Sequence, residues 1–433
     1  MQTIVVLGAG KSSYYLINYL SKRAVELNYN LIIADAVIAN LKETSNIQTI
    51  QTDLGNVKNL KEMVNKAHIV VSLLPPFLHI KVAELCLELN KHFLTASYVS
   101  PEIQALAADA KRKGLIFLME CGLDPGLDHM SAMKIFDGLS KKGAIIKSFR
   151  SYCGGLIAPQ SDDNPWGYKI TWNPRNVVNA GKGTAQYLEG NEVRYVPYHQ
   201  LFKRVTNLEF KDYGQYEAYP NRDSLSYIKI YGLKDVDTFI RGTIRKQGFC
   251  KAWDCLLQLG LTDDTVKISS EPKLTIADFV KKFLPENVSY ESYLKLDDSN
   301  VKQKLSWLGL GSNENLNFTN ESTPTELLQN IIEKRWKLNP GDKDLVLMQH
   351  LIEYQEDGQN RKIISSLEIE GQSQTETAMA KTVGLPLAMA TLLILQNKIE
   401  AKGVIIPTIE EIYNPILKEL QNHGILFREY TYS

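Results

Sequence analysis

The stretch 5-VVLGAGKSSYYLINYL-20 decides the fold. A short apolar run ends in Gly8-Ala9-Gly10, and a helical pattern opens directly behind it. Two glycines permit a tight turn and a close approach of backbone to a pyrophosphate. The helix N-terminus, from Lys11 and Ser12 onward, then offers unbonded N–H groups to an anion. Where that pattern usually carries a third glycine the chain has Ser13, small enough for helix–strand packing. A lone Gly-x-Gly also fits a plain tight turn, so its surroundings matter. Working outward, "TIVVL", "LIIAD", "IQTIQTD", "IVVSLL", "HFLTAS" and "LIFLME" are strand-like runs separated by helical patterns. The clearest helix follows Ser100, with Pro101 first, Ile103, Leu106, Ala107 and Ala110 on one face, and Gly114 as stop. Alternating strands and helices predict a mostly parallel, doubly wound α/β sheet that binds ligands at the carboxyl ends of its strands.

From about residue 143 the pattern changes. "AIIKSFRSYCGG", "SYIKIYGL" and "TFIRGTIR" read as strands of a second sheet. Residues 344–371 read as an antiparallel hairpin with one solvated face. Residues 257–342 carry helix-length amphipathic segments with few strand signals. The run "AMAKTVGLPLAMATLLILQNK" is a long apolar helix, interrupted by Gly384, Pro386 and Gln396 and therefore expected to be buried. "NPILKELQNHGILF" is a further amphipathic helix near the end.

Composition sets bounds. The 433 residues suffice for two or three domains, and 49 basic side chains balance 49 acidic ones. This balance gives no electrostatic case for nucleic acid or an anionic membrane. No signal-type segment is read at "MQTIVVLGAG". Five cysteines without a CxxC pair and seven scattered histidines point to a reducing, cytoplasmic setting without a metal site.

The strand ends gather chemistry. Asp35 closes the second strand, where a carboxylate hydrogen-bonds adenosine ribose hydroxyls and repels a 2′-phosphate. The next basic residue is Lys42, so NAD is expected over NADP. The alternative is a solvated strand-end aspartate. Asp53, Leu73–Pro76, Ser97 with Tyr98, and Glu120–Asp124 end the following strands. In "GLDPGLDH" (122–129), Asp124 before Pro125 fits a helix N-cap, and Asp128 fits the first turn, where the dipole contributes about 0.3–1 kcal/mol. An N-cap at this edge can also meet substrate.

The stretches "SYVSPEI", "ECGLDPGLDHMSAMK", "SYCGGLIAP", "SDDNPWGYKITWNPR", "AYPNRDS", "IRGTIRKQGF", "MQHLIEYQ" and "MAKTVGLPLAMA" resemble saccharopine dehydrogenases of the L-glutamate-forming type, in the family's order and over nearly the whole length. The resemblance implies a Rossmann-like domain (1–123 with 398–433), a mixed α/β substrate and dimerisation domain (124–256 with 343–397), a helical insertion (257–342) and a homodimer. It implies oxidation of saccharopine to L-glutamate and 2-aminoadipate 6-semialdehyde, or the reverse condensation. It places cofactor contacts on Gly10–Ser13, Ala34–Ala36, Asp53, Leu54, Leu74, Thr95, Ala96, Gly122, Leu123, Asp124 and Asn173. Substrate contacts fall on Ser97, Tyr98, Asp124, Arg222, Gly242, Thr243 and Ile244, with Cys153 beside the substrate. Fungal members use NADP and carry a cysteine–arginine pair where this chain has Asp35-Ala36. Met119 and Cys121 replace the family's asparagine and isoleucine around Glu120, which is expected to alter the nicotinamide wall.

The same residues have plainer readings. Arg222 fits a substrate-carboxylate clamp or a surface ion pair with Asp223. Tyr98 fits a site wall or a core aromatic, and Cys153 a site wall or a small buried hydrophobe. Tyr98, Asp124 and Cys153 are expected to line the site. His129 and Lys169 are further polar options, and no single general base is singled out. A related imine-reducing dehydrogenase, such as a carboxynorspermidine synthase, and a non-catalytic cofactor sensor are the competing readings.

Overall fold

The computed structural model describes residues 1–38, 43–270, 273–316, 318 and 321–432. The chain forms two compact units: Met1–Ala144 with Thr375–Arg428, and Ile145–Gln374 with Glu429–Ser433.

The first unit is built on a seven-stranded sheet. Strands β1 (Gln2–Leu7), β2 (Tyr29–Asp35), β3 (Ile47–Gln51), β4 (Ile69–Ser72), β5 (His92–Thr95) and β6 (Ile116–Leu118) are the six expected runs. The strand Gly403–Ile405 joins β6, giving the order Gly403–Ile405, β6, β5, β4, β1, β2, β3. Every adjacent pair is parallel, so all carboxyl ends share one edge. β1 is apolar from Ile4 to Leu7 and fully buried there, as a central parallel strand requires. The helical pattern after Ser100 divides into Pro101–Ala105 and Ala107–Arg112, and Ser100 Oγ caps the first by accepting the Ile103 N–H at 3.3 Å.

The apolar helix Ala378–Leu395 is long enough by length and composition to cross a membrane, but it is buried along nearly all of its length. It belongs to this unit because Gly384 lets it approach the helix Tyr14–Arg23. A Cβ at Gly384 would stand 2.9 Å from Leu16 N. The unit boundaries therefore differ from those expected at 123 and 397: this helix and Leu127–Ser140 both lie with the parallel sheet.

The second unit carries a nine-stranded sheet. Its strands are β7 (Ile145–Ile157), β8 (Ala185–Glu189), β9 (Glu192–Val196), β10 (Thr206–Phe210), β11 (Gly214–Pro220), β12 (Thr238–Lys246), β13 (Asp344–Glu356) and β14 (Gln359–Glu370), closed by Arg428–Tyr432. The path runs β10, β11, β12, β7, β13, β14 and Arg428–Tyr432, with β8 on β12 and β9 on β8.

Three expectations are corrected here. "SYIKIYGL" is not a strand: Leu225–Ile230 is a helix, opened where Asp223 Oδ1 accepts the Ser226 N–H at 3.2 Å. A short apolar run does not separate the two states by periodicity. The hairpin β13–β14 forms, but its first strand has no solvated face over Asp344–His350, where the residues pointing to both faces of the sheet are buried. Residues 257–342 are helical as expected yet share one core with the sheet. Leu328, Ile332 and Trp336 pack in the same cluster as Tyr152, Ile244 and Trp253.

Candidate functional site

The first unit gathers its candidates on the carboxyl edge of the parallel sheet. Gly8 adopts φ +101°, and its N–H donates to Ala34 O at 2.8 Å, which pins the loop to the end of β2. The space over Gly10 is open, as a ligand-cradling loop needs. Ser13 is buried, and its hydroxyl donates to Gly10 O at 2.8 Å, so it ties the loop to the helix where a third glycine is usual. Lys11 is exposed and Ser12 half-buried. Asp35 faces this loop: Oδ2 accepts the Ala9 N–H at 2.5 Å and Oδ1 the Val37 N–H at 3.2 Å. Each oxygen keeps a further lone pair for a ribose hydroxyl. Ala36 is exposed and carries no charge, and Lys42 lies outside the described residues. Asp53 is exposed and binds the Gly55 N–H at 2.8 Å, while Leu54 is buried below it and Leu74 is half-buried. These residues fit a dinucleotide: a loop open at Gly10, a helix N-terminus, and a carboxylate at the end of β2 beside the loop.

Beyond β5, Thr95 is buried, Ala96 and Ser97 are half-buried, and Tyr98 is 48% exposed. The Tyr98 hydroxyl donates to Asp124 Oδ1 at 3.1 Å, which brings two of the residues expected to line the site together. Tyr98 is therefore not a core aromatic.

Asp124 does not cap the following helix, which corrects the sequence reading. That helix begins at Leu127 with Gly126 as its N-cap residue, and the peptide between Asp124 and Pro125 is cis. The loop closes on itself. Gly122 N–H donates to Pro125 O at 2.9 Å, Leu127 N–H to Gly122 O at 2.9 Å, and Asp128 N–H to Leu123 O at 3.1 Å. Asp128 does the anchoring: it is 2% exposed and accepts the Gly126 N–H at 2.6 Å. Asp124→Asn is therefore expected to leave the melting temperature nearly unchanged. It should cut kcat/KM by at least about tenfold, roughly 1.4 kcal/mol. Asp128→Asn should instead cost about 1–3 kcal/mol of stability, the range for a buried charge-assisted bond and above the dipole figure. Thermal melts and steady-state kinetics on both variants check the pair.

The sequence places Glu120 at a strand end and offers His129 as a polar option without giving their partners, and it does not single out His79. Glu120 is buried with φ +56°, and its carboxylate joins two loops: Oε1 accepts the Val99 N–H at 3.0 Å and Oε2 meets His129 Nε2 at 2.9 Å. Asp128 Oδ2 lies 3.6 Å from the other ring nitrogen of His129. His129 is thus a buried link between two carboxylates. His79, buried in the helix Pro76–Glu88, lies 3.1 Å from Ser72 Oγ through Nδ1 and 2.9 Å from Ser97 Oγ through Nε2. A lone histidine in the apolar "PFLHIKVAELCLE" gives no periodic signal, although it falls just after a strand end. Met119 and Cys121 are fully buried, so neither forms an exposed wall. Met119 packs in the core of the sheet, and burial pushes the Cys121 thiol far above its ordinary range.

The second unit holds the remaining candidates. Cys153 is 5% exposed on β7, paired in register with Thr243 of β12 and Met348 of β13. Gly242 and Ile244 are buried on either side of Thr243, whose hydroxyl donates to Asn221 Oδ1 at 2.7 Å. Asn173 is exposed and caps the helix Pro174–Val178, accepting the Arg175 N–H at 2.9 Å. Arg222 is exposed, and no carboxylate among the described residues pairs with it. Asp223, the alternative partner, accepts from Ser226 N–H and Gln186 Nε2 instead. Lys169 is tied between Asp163 at 2.8 Å and Asp342 at 2.6 Å. Burial opposes its charge, but those two hydrogen bonds outweigh it and hold the ammonium above its ordinary range, which removes Lys169 as a base.

Comparison with known proteins covers the whole chain. Residues 4–118 match the family described as saccharopine dehydrogenase NADP binding domain, and residues 122–425 the saccharopine dehydrogenase C-terminal domain. Saccharopine dehydrogenase [NADP(+), L-glutamate-forming] of Saccharomyces cerevisiae is 31% identical over 99% of both chains. The alpha-aminoadipic semialdehyde synthase of Arabidopsis thaliana is 32% identical over 92% of this chain, which spans only 40% of that relative's length. The apo structure of the Saccharomyces cerevisiae saccharopine dehydrogenase (L-Glu forming) superposes with a TM-score of 0.88 at 29% identity, covering 100% of each chain.

Proposed function

The chain belongs to the saccharopine dehydrogenase family, and from that premise we propose that it interconverts saccharopine with L-glutamate and 2-aminoadipate 6-semialdehyde using a nicotinamide dinucleotide. The observation that carries this reading is the grouping of Ser97, Tyr98 and Asp124 on the same sheet edge as a Gly-x-Gly loop closed by Asp35. Saccharopine is a secondary amine with three carboxylates. A bound nicotinamide would supply the hydride acceptor, the hydride coming from the amine-bearing carbon that becomes the aldehyde, while the amine proton passes to solvent and water cleaves the C=N bond of the substrate. The Gly8–Ser13 loop and Asp35 hold the dinucleotide, with Asp53, Leu54, Leu74, Thr95, Ala96, Gly122, Leu123 and Asn173 as further contacts. Arg222 clamps a substrate carboxylate. Tyr98 and Asp124 form one hydrogen-bonded pair facing the amine. Cys153, Gly242, Thr243 and Ile244 are further substrate contacts that the family resemblance implies. The main contribution of these groups is orientation of the reacting atoms. A homodimer is the assembly that the family resemblance implies.

The cofactor proposed is NAD. The support is Asp35, a carboxylate that ends β2 and bonds the Gly8–Gly10 loop and would repel a 2′-phosphate bound there, beside Ala36, which offers no countercharge. Saccharopine-dependent reduction, followed with each cofactor in turn, should show kcat/KM favouring NAD by at least about tenfold. Asp35→Cys combined with Ala36→Arg should reverse that order. Equal use of NADP by the parent protein would show that Asp35 does not face the ribose.

A further inference from the structure

His79 is a buried ionisable group at the carboxyl edge to which the proposed chemistry gives no task. It is 2% exposed in the first turn of the helix Pro76–Glu88, and its ring packs on Phe93. Three hydroxyls surround it. Ser72 Oγ lies 3.1 Å from Nδ1, while Ser97 Oγ at 2.9 Å and Thr95 Oγ1 at 3.3 Å both approach Nε2. Either ring nitrogen can hold the hydrogen at these distances, because each has one site to donate from or accept at. Thr95 Oγ1 accepts the Ser97 N–H at 3.3 Å and has its own hydrogen to donate. In the tautomer with Nε2 bare, Nε2 accepts from the nearer Ser97 hydroxyl and Nδ1 donates to Ser72 Oγ. Burial pushes the ring down to about 4, so it is neutral at ordinary pH and one ring nitrogen is bare.

We propose that His79 is a positioning residue that takes the Ser97 hydroxyl hydrogen, so that Ser97 Oγ presents only lone pairs outward and accepts the N–H of the substrate amine. This rests on the proposed function for the identity of the amine. The ring itself does not touch substrate. Its effect passes through Ser97, which is half-buried at the end of β5. Fixing that rotor before binding removes a choice between donor and acceptor orientations, which favours an N–H donor over an acceptor such as a carboxylate.

The test uses the full-length protein. Nitrogen-15 shifts of the His79 ring should show Nδ1 protonated and Nε2 bare, and a protonated Nε2 overturns the proposal. His79→Leu should lower kcat/KM for saccharopine by about tenfold, while His79→Gln, whose amide oxygen reaches the Nε2 position, should recover most of that loss. In a Ser97→Ala background the same His79→Leu change should cost less than about twofold, because coupled residues are not additive. Melting temperature is expected to fall equally in both backgrounds and is read separately. An equal kinetic loss with and without Ser97, or a His79→Gln variant as impaired as His79→Leu, would overturn the role assigned to His79. A parent protein that fails to turn over saccharopine would overturn the proposed function instead, and the ring tautomer still decides whether His79 holds the Ser97 hydrogen.

Discussion

Arg222→Ala is expected to lower kcat/KM for saccharopine by at least about a hundredfold, since loss of a charge-assisted carboxylate pair costs roughly 2–5 kcal/mol. The structure sharpens this expectation. Arg222 follows β11, and its backbone carbonyl accepts the Gln186 N–H at 3.0 Å, which fixes the loop. Its side-chain stem runs over Gly183, where an added Cβ would come within 3.2 Å of Arg222 Cδ. Asp223 turns away to Ser226 and Gln186. The guanidinium is thus held by its stem and keeps its fork of N–H donors for a ligand. Arg222→Lys retains the charge and loses the fork, so it should fall between parent and alanine. Dinucleotide affinity, measured by binding in the absence of saccharopine, should not change with either substitution. Unaltered saccharopine kinetics would reduce Arg222 to a surface cation.

Glu120→Ala should give the largest loss of stability. One carboxylate oxygen holds the Val99 N–H and the other holds His129, all in the interior of the first unit. Removing one member of such a buried pair costs about 3–5 kcal/mol, because the remaining polar groups lose their partner without regaining water. The backbone of Glu120 also donates to Ser97 O at 3.0 Å, so the Ser97–Val99 loop is tied to the residue twice. Activity should therefore fall along with the unfolding midpoint. Glu120→Gln keeps an acceptor for Val99 and should lose clearly less in denaturant titration. A Glu120→Ala protein as stable as the parent would show that the loop is held by the backbone alone.

The parallel sheet was legible because its strands are continuous apolar runs of Val, Ile and Leu, each ending in a polar loop. Its seventh strand lies far along the chain at Gly403–Ile405, where only a short run such as "GVIIP" marks it. "SYIKIYGL" misled because alternation over so few residues does not outweigh a local helix start at Asp223. Residues of the site were legible where a residue type and a strand end coincide, as at Gly8, Asp35, Ser97 and Tyr98. Asp128 lies in the first helical turn as read, but Asp124 does not cap that helix. A proline after an aspartate reads as a capped helix start, but here the loop bonds to itself and the cap moves to Gly126. His79, Glu120 and His129 act through partners many residues away in sequence, and no spacing rule reveals such contacts.

The central claim is tested most directly by adding saccharopine and NAD to the purified protein and measuring L-glutamate against reduced nicotinamide. The account predicts that both appear together in equal amounts, with turnover in NAD exceeding that in NADP by at least about tenfold in kcat/KM. Reduced nicotinamide without glutamate, or no turnover of saccharopine with either cofactor, would contradict it.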